Sequence, residues 1–248
     1  MKSVNSDQAY DFIRERILNG QYPPGSTLTT SQLALDIGLS RTPVRDALRQ
    51  LESDGLVVIR AHYGASVRNV TFNEFRDMSN MRLALESYAA GFAAANHLPE
   101  EAREMKFALE AMRRVIDMQE AGGDNQPLPA DLVREDIRFH LAILAAARNE
   151  LIRKEIMRLH LLNRIVSSKG VEMMQPQGRA EIDNNRREVL AEHEAIYQAI
   201  VRRDTEQAKG AMHRHLQKLI DKQIALREQA DGMPAKKPLT EEEMIYST

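Results

Sequence analysis

Leu39-Ser40-Arg41-Thr42-Pro43-Val44-Arg45-Asp46-Ala47-Leu48-Arg49-Gln50-Leu51-Glu52 carries two faces at helical spacing. Val44, Ala47, Leu48 and Leu51 recur at i, i+3, i+4 and i+7, the stripe of a helix with one apolar side. Arg41, Arg45 and Arg49 follow at every fourth position on another side. Thr42 suits the cap and Pro43 the first helical position. Just upstream, Ser31–Ile37 predicts a short helix with Leu33, Ala34 and Ile37 inward, and Gly38-Leu39-Ser40 supplies a tight turn. Two short helices so joined make a helix-turn-helix. A DNA-reading helix needs one face for the core and another for the groove, and this stretch has both. Arginine can fork onto a guanine edge or bind phosphate. Ser40 and Thr42 stand where hydroxyls and helix N-terminal amides hold a phosphate.

The flanks extend this pattern. Tyr10–Asn19, with Phe12, Ile13, Ile17 and Leu18, predicts a first helix ended by Gly20, and Pro23–Gly25 a turn. Leu56–Ile59 and Ala65–Val67 predict short strands joined by a wing at Arg60–Gly64, whose His62, Tyr63 and Gly64 are placed to reach a minor groove or backbone. From Thr71-Phe72-Asn73-Glu74, a capping box, the pattern turns to long helices only. They run to about Asn96, from Pro99 to Gly122-Gly123, through Ala147, from Asn149 to near Gly170, to about Arg203, and from Asp204 to about Gln229. The expected division is 1–70 for the winged helix-turn-helix, 71–229 for an all-α antiparallel bundle, and 230–248 for a polar tail.

Composition bounds the function. The chain has 248 residues, enough for two cores, and a formal net charge of −2. Bulk positive charge therefore cannot supply nucleic-acid binding, and the arginines must act locally. With no cysteine, disulfides and thiolate metal sites are excluded. No run approaches the ~18 apolar residues of a membrane span, and the N-terminus lacks the layout of a secretory signal. The expectation is a cytoplasmic protein with no membrane partner.

Arg41–Glu52 with Leu39-Ser40 before it and Asp54-Gly55-Leu56-Val57 after it resembles the signature of GntR-family bacterial transcription regulators. Ile17-Leu18-Asn19-Gly20 and Pro23-Pro24-Gly25 match the family's opening, so the resemblance spans about residues 7–68. It implies operator contacts from Arg41, Thr42, Arg45 and the wing around Gly64. Two positions depart from the pattern: Asp46 stands where glutamate is common, and Ser31 where some members have a groove-contacting arginine.

In the helical part, polar residues on apolar stripes carry the information, because burying them costs free energy unless they are paired. Asp136 and His140 lie beside a stripe of Val133, Ile137, Leu141 and Leu144. His193 is in line with Val189, Ile196 and Ile200, and His215 with Ala208, Ala211, Met212, Leu216 and Leu219. One carboxylate and three imidazoles from three helices suit a divalent metal ion such as Zn, Ni, Mn or Fe with open positions. The blander alternative is that each histidine is a satisfied core residue. Arg82 falls on the inward face of Phe75, Met78, Leu85 and Ala89. It either pairs with Glu86 one turn on or forks onto an effector carboxylate.

Asp136-Ile137-Arg138-Phe139-His140, Asn149-Glu150-Leu151, His193, Arg203-Asp204 and Met212-His213-Arg214-His215-Leu216 resemble the FCD effector domain of the FadR/VanR branch over about residues 72–228. The resemblance implies a bundle of six or seven helices, metal ligands at Asp136, His140, His193 and His215, and a small organic acid resting against the metal. The function expected is thus a non-enzymatic, ligand-responsive regulator that binds a palindromic operator in double-stranded DNA as a homodimer. Two alternatives differ in class. One is a helical metallohydrolase with a DNA-binding appendage, disfavoured by the absence of a His-Glu-x-x-His or comparable motif. The other is a regulator whose helical domain only dimerises.

Overall fold

The structure is a computed structural model and describes residues 4–60, 64–122, 130–168 and 179–231. The expected wing residues His62 and Tyr63, the loop with Pro127 and Pro129, Val171–Gly178 and the tail beyond Asp231 lie outside the described residues. The N-terminal head comprises α1 (Val4–Leu18), β1 (Thr27–Leu28), α2 (Thr30–Ile37), α3 (Arg41–Ser53), β2 (Val57–Arg60) and β3 (Gly64–Val67). The strands form an antiparallel sheet in the order β1-β3-β2, with Val57 opposite Val67 and Thr27 opposite Ser66. Two residues of β1 are too few to show alternation, so sequence reasoning left that strand out.

Gly38 takes φ 74°, ψ 29°, and its amide and the next close the end of α2 onto Leu35 and Ala34. This left-handed turn is open to glycine at little cost, and it sets α3 at an angle to α2. The N-cap of α3 is Ser40, two residues ahead of the expected Thr42, which makes Pro43 the third helical residue. Its position is still favourable, because the first four amides of a helix have no intrahelical acceptor to lose. Val44, Ala47, Leu48 and Leu51 are all buried, as the stripe requires.

The C-terminal part holds six helices among the described residues: α4 (Phe72–Asn96), α5 (Pro99–Gly122), α6 (Ala130–Ala146), α7 (Glu150–Ser168), α8 (Arg179–Val201) and α9 (Thr205–Asp231). With the head, this makes the chain a mainly α protein. α4 is central, touching α6, α7, α8 and α9, while α5 pairs with α6 and α8. The capping box is formed: Thr71 accepts from the Glu74 amide, and the Glu74 carboxylate accepts from the Thr71 amide at 2.9 Å. Thr71→Ala is expected to cost about 1 kcal/mol, seen as a lower urea midpoint at unchanged m-value. Arg148 and Arg203 end α6 and α8 in the left-handed region, at φ 52° and 59°. Both guanidiniums then donate to carbonyls at the end of α4, Arg148 to Asn96 and Arg203 to Ala95. Cations there satisfy orphan acceptors and complement the helix dipole.

The stripe on α6 is rotated from the one expected. Val133, Ile137 and Leu141 are 39%, 46% and 37% exposed, and only Leu144 of that set is buried. The face that packs carries Leu132, Phe139, Ile143 and Ala146. α6 has two apolar stripes, and periodicity alone cannot rank them. Phe139 decides it: fully buried, it sits with its ring 4.9 Å from that of His193.

Head and bundle share one apolar cluster. Leu159 and Leu162 of α7 and Met78 of α4 are buried together with Ile13, Ile17, Val44, Leu51 and Leu56 of the head. At the same seam the Tyr10 hydroxyl donates to Asp54 at 2.8 Å. Burial, followed by the carboxylate of Asp54, pushes the Tyr10 phenol up to about 12.

Candidate metal centre and nucleic-acid interface

α6, α8 and α9 each bring one imidazole to a common point. His140, His193 and His215 each present a ring nitrogen such that all three lie within 4.8 Å of one another. The Nε2 atoms of His140 and His193 are 3.3 Å apart. The fourth expected ligand, Asp136, stands at the margin: its Oδ1 is 3.5 Å from His193 Nε2, and its side chain remains 42% exposed. Asp136 is thus beside the three histidines without closing the set in this rotamer.

Two observations test whether these residues fit a metal ion. His215 Nε2 is a buried ring nitrogen with no hydrogen-bond partner among the described residues. An unsatisfied nitrogen of this kind costs free energy unless a ligand takes its lone pair. Burial and then its two imidazole neighbours push the His193 pKa well down, and burial lowers that of His140 against the pull of Asp136 and Glu86. Both rings are therefore neutral near pH 7, the form that ligates. The donor set fits a borderline divalent ion.

The outer partners are carboxylates, an arrangement that fixes the orientation of ligating histidines. His215 Nδ1 lies 2.9 Å from Glu192 Oε2, and Lys218 holds the other oxygen of Glu192 at 2.6 Å. His140 Nδ1 lies 3.8 Å from Glu86, which also meets His160 of α7 at 3.2 Å. Sequence reasoning did not single out Glu192, which sits one position before His193 on α8 and reaches across to His215 of α9. It missed His160 altogether, because a histidine on a helix of mixed polarity carries no periodic signal of its partner.

Arg82 takes the first of its two readings. Its Nε donates to Glu86 at 2.9 Å, with Glu86 2% exposed. Burial opposes ionisation of Glu86, yet the His160 hydrogen bond and the Arg82 charge outweigh it and hold the carboxyl at about 2. Arg82→Ala is expected to destabilise the chain by about 3 kcal/mol, because it removes one partner of a buried carboxylate. Adding Glu86→Gln should recover part of that loss, and differential scanning fluorimetry of both variants checks it.

Beside the histidines, a cavity of about 270 Å³ runs between α5, α6, α8 and α9. Asp136 and His193 lie in its wall, together with Arg186 and several apolar side chains. Arg186 is the cationic side chain that sequence reasoning did not single out.

On the head, Ser40, Arg41, Thr42, Arg45 and Arg49 are all exposed, on the face of α3 opposite its buried stripe. Ser40 makes no cap hydrogen bond through its side chain. Arg49 is 3.6 Å from Asp46, both largely exposed, so part of its charge is locally answered. Gly64 opens β3 at φ 87°. Ser31, at the departure from the family pattern, is exposed on α2.

A three-helix head with a small sheet in front of a helical bundle with a histidine centre defines a class of bacterial regulators, and sequence comparison bears this out. Residues 5–67 match the bacterial regulatory proteins of the gntR family, and residues 77–218 match the FCD domain. The chain belongs to the GntR family, in the branch with an FCD domain, and is a DNA-binding transcription regulator. It is 30% identical to the probable D-xylose utilization operon transcriptional repressor of Paenarthrobacter nicotinovorans, over 87% of each chain. It is 29% identical to the regulator LutR of Bacillus subtilis, over 83% of this chain and 94% of that one. Among solved structures, E. coli McbR/YncC has the same fold at a TM-score of 0.65 and 22% identity, covering 92% of this chain and 99% of that one. No described helix is long and apolar enough to cross a membrane.

Proposed function

We propose that the chain is a ligand-responsive regulator that binds a palindromic operator as a homodimer. In this reading a divalent metal ion held by Asp136, His140, His193 and His215 receives a small carboxylate effector. The observation that carries it is the convergence of three imidazoles, one with an orphaned buried nitrogen, in the domain whose α7 and α4 also complete the core of the head. When bound, the metal supplies a Lewis-acidic position for a carboxylate oxygen. His215 is oriented for it by its hydrogen bond to Glu192, Glu86 places a negative charge 3.8 Å from His140, and the cavity at Asp136 and His193 gives the effector access. Pairing follows from the operator: two heads on one face of DNA match a two-fold symmetric site. The effector acts only if its affinity differs between two arrangements of the heads.

We read the centre as a sensor and not as a hydrolase. Glu192, the carboxylate nearest to His215, is committed to that histidine and Lys218, so it is poorly placed as a general base. The proposal also places the protein in the cytoplasm, where its operator is. The test is metal analysis of the purified chain beside an Asp136→Ala/His215→Ala variant. About one ion per chain is expected for the native protein and near none for the variant; equal content in both overturns the centre.

A further inference from the structure

We propose that the effector is an organic acid with an apolar body, aliphatic or aromatic, and that polyhydroxy acids are poor ligands. This rests on the metal-centre reading above and adds the chemistry of the molecule that site accepts.

The cavity has two polar ends and an apolar belt. Asp136 and His193 mark one end, next to the histidine centre, and Asn185 and Arg186 the other. Arg186 and His193 are seven residues apart on α8, so they share a face about 10 Å apart along the axis. Between them α8 presents Val189 and Leu190. Across the space, α6 presents Leu132, one turn before Asp136, and α5 presents Met112 and Ile116, also one turn apart. Leu219 of α9, one turn beyond His215 and 36% exposed, stands at the rim.

This arrangement sorts acids by the body attached to the carboxylate. Every acid offers a carboxylate to the metal end, and an α-hydroxy acid can add only the hydroxyl next to it. A body of methylenes or an aromatic ring then lies against Leu132, Val189, Leu190, Met112 and Ile116, and gains from leaving water. A sugar acid carries a hydroxyl on almost every carbon, and the belt contains no described side chain that can donate to or accept from it. Each hydroxyl stranded there lowers affinity by about tenfold or more. The volume, just under the usual lower end for small-molecule sites, favours a short-chain or single-ring acid over a long acyl chain.

Isothermal titration calorimetry of the full-length, metal-loaded chain with hexanoate, benzoate and gluconate tests this. Metal content is measured on the same sample. Hexanoate or benzoate is expected to bind at least about 100-fold more tightly than gluconate, with the negative heat-capacity change of apolar burial. Val189→Thr, an isosteric change in a half-buried position, should weaken the apolar acid about tenfold while leaving metal content unchanged. Leu219→Gln at the rim should act in the same direction without threatening the core. Gluconate binding as tightly as benzoate overturns the inference and leaves the metal centre standing. So does a loaded protein that binds none of the three acids. A protein that takes up no metal overturns the underlying reading instead.

Discussion

An Arg45→Ala variant is expected to lose most operator binding while keeping its fold. Arg45 is exposed, one turn into α3, on the face opposite Val44, Ala47, Leu48 and Leu51. Among the described residues no ion pair or hydrogen bond of its side chain helps to hold the head, so removing it should change stability by less than about 0.5 kcal/mol. In the groove the same side chain can fork onto a guanine, worth about 1–3 kcal/mol. A symmetric dimer uses it twice, so affinity should fall by roughly 30-fold to 10⁴-fold. Arg49→Ala should behave differently. That side chain lies farther from the helix start and leans on Asp46, which points to a phosphate contact. Its loss should weaken binding evenly across sequences and reduce the salt slope by about one per head. Fluorescence anisotropy on a labelled promoter fragment at several salt concentrations separates the two patterns. Native affinity in Arg45→Ala would remove α3 from the reading of bases.

Chelation is expected to lower the melting temperature by about 8–16 °C if the ion is supplied at a thousand times its dissociation constant. That occupancy is worth about 4 kcal/mol, and each kcal/mol moves a chain of this size by about 2–4 °C. His193→Ala, which deletes the most buried of the three rings, should show no such response. The effect also has a pH signature. Folding pushes the His193 and His140 pKa values down, so below about pH 6.5 the unfolded chain binds more protons than the native one. Their contribution to stability is full above that pH and is lost as the pH falls. Protons also compete with the metal for the same nitrogens. The difference between loaded and chelated protein should therefore shrink from pH 7.5 to 5.5. A shift of the same size in His193→Ala would mean that the chelator acts elsewhere.

Where a residue's role follows from its own helix, the sequence displayed it. The α3 stripe, the Thr71 capping box, the boundary at Asn96 and the inward histidines of α8 and α9 are all of this kind. Where a role depends on which helix lies opposite, it was hidden. α6 carries two apolar stripes, and only packing against α4 and α5 shows that Phe139 and Ile143 point in while Val133 and Ile137 do not. Glu192 and His160 acquire meaning from His215 and Glu86, which are 23 and 74 residues away in the chain. Arg82 had two readings because an i, i+4 glutamate and an interior position coexist there. The pairing with Glu86 is the one that the geometry takes up.

The shared cluster at the seam bears on how such regulators can be recombined. Leu159 and Leu162 of α7 are buried in the core of the head, so the DNA-reading part is finished by residues nearly a hundred positions downstream of it. A graft of residues 1–70 from a relative onto this bundle would thus meet a foreign floor, and the defect would register as instability before any change in operator choice. The inheritable unit of specificity in this chain is the head together with the stretch of α7 beneath it, and exchanges that keep those two together are the ones expected to yield working hybrids.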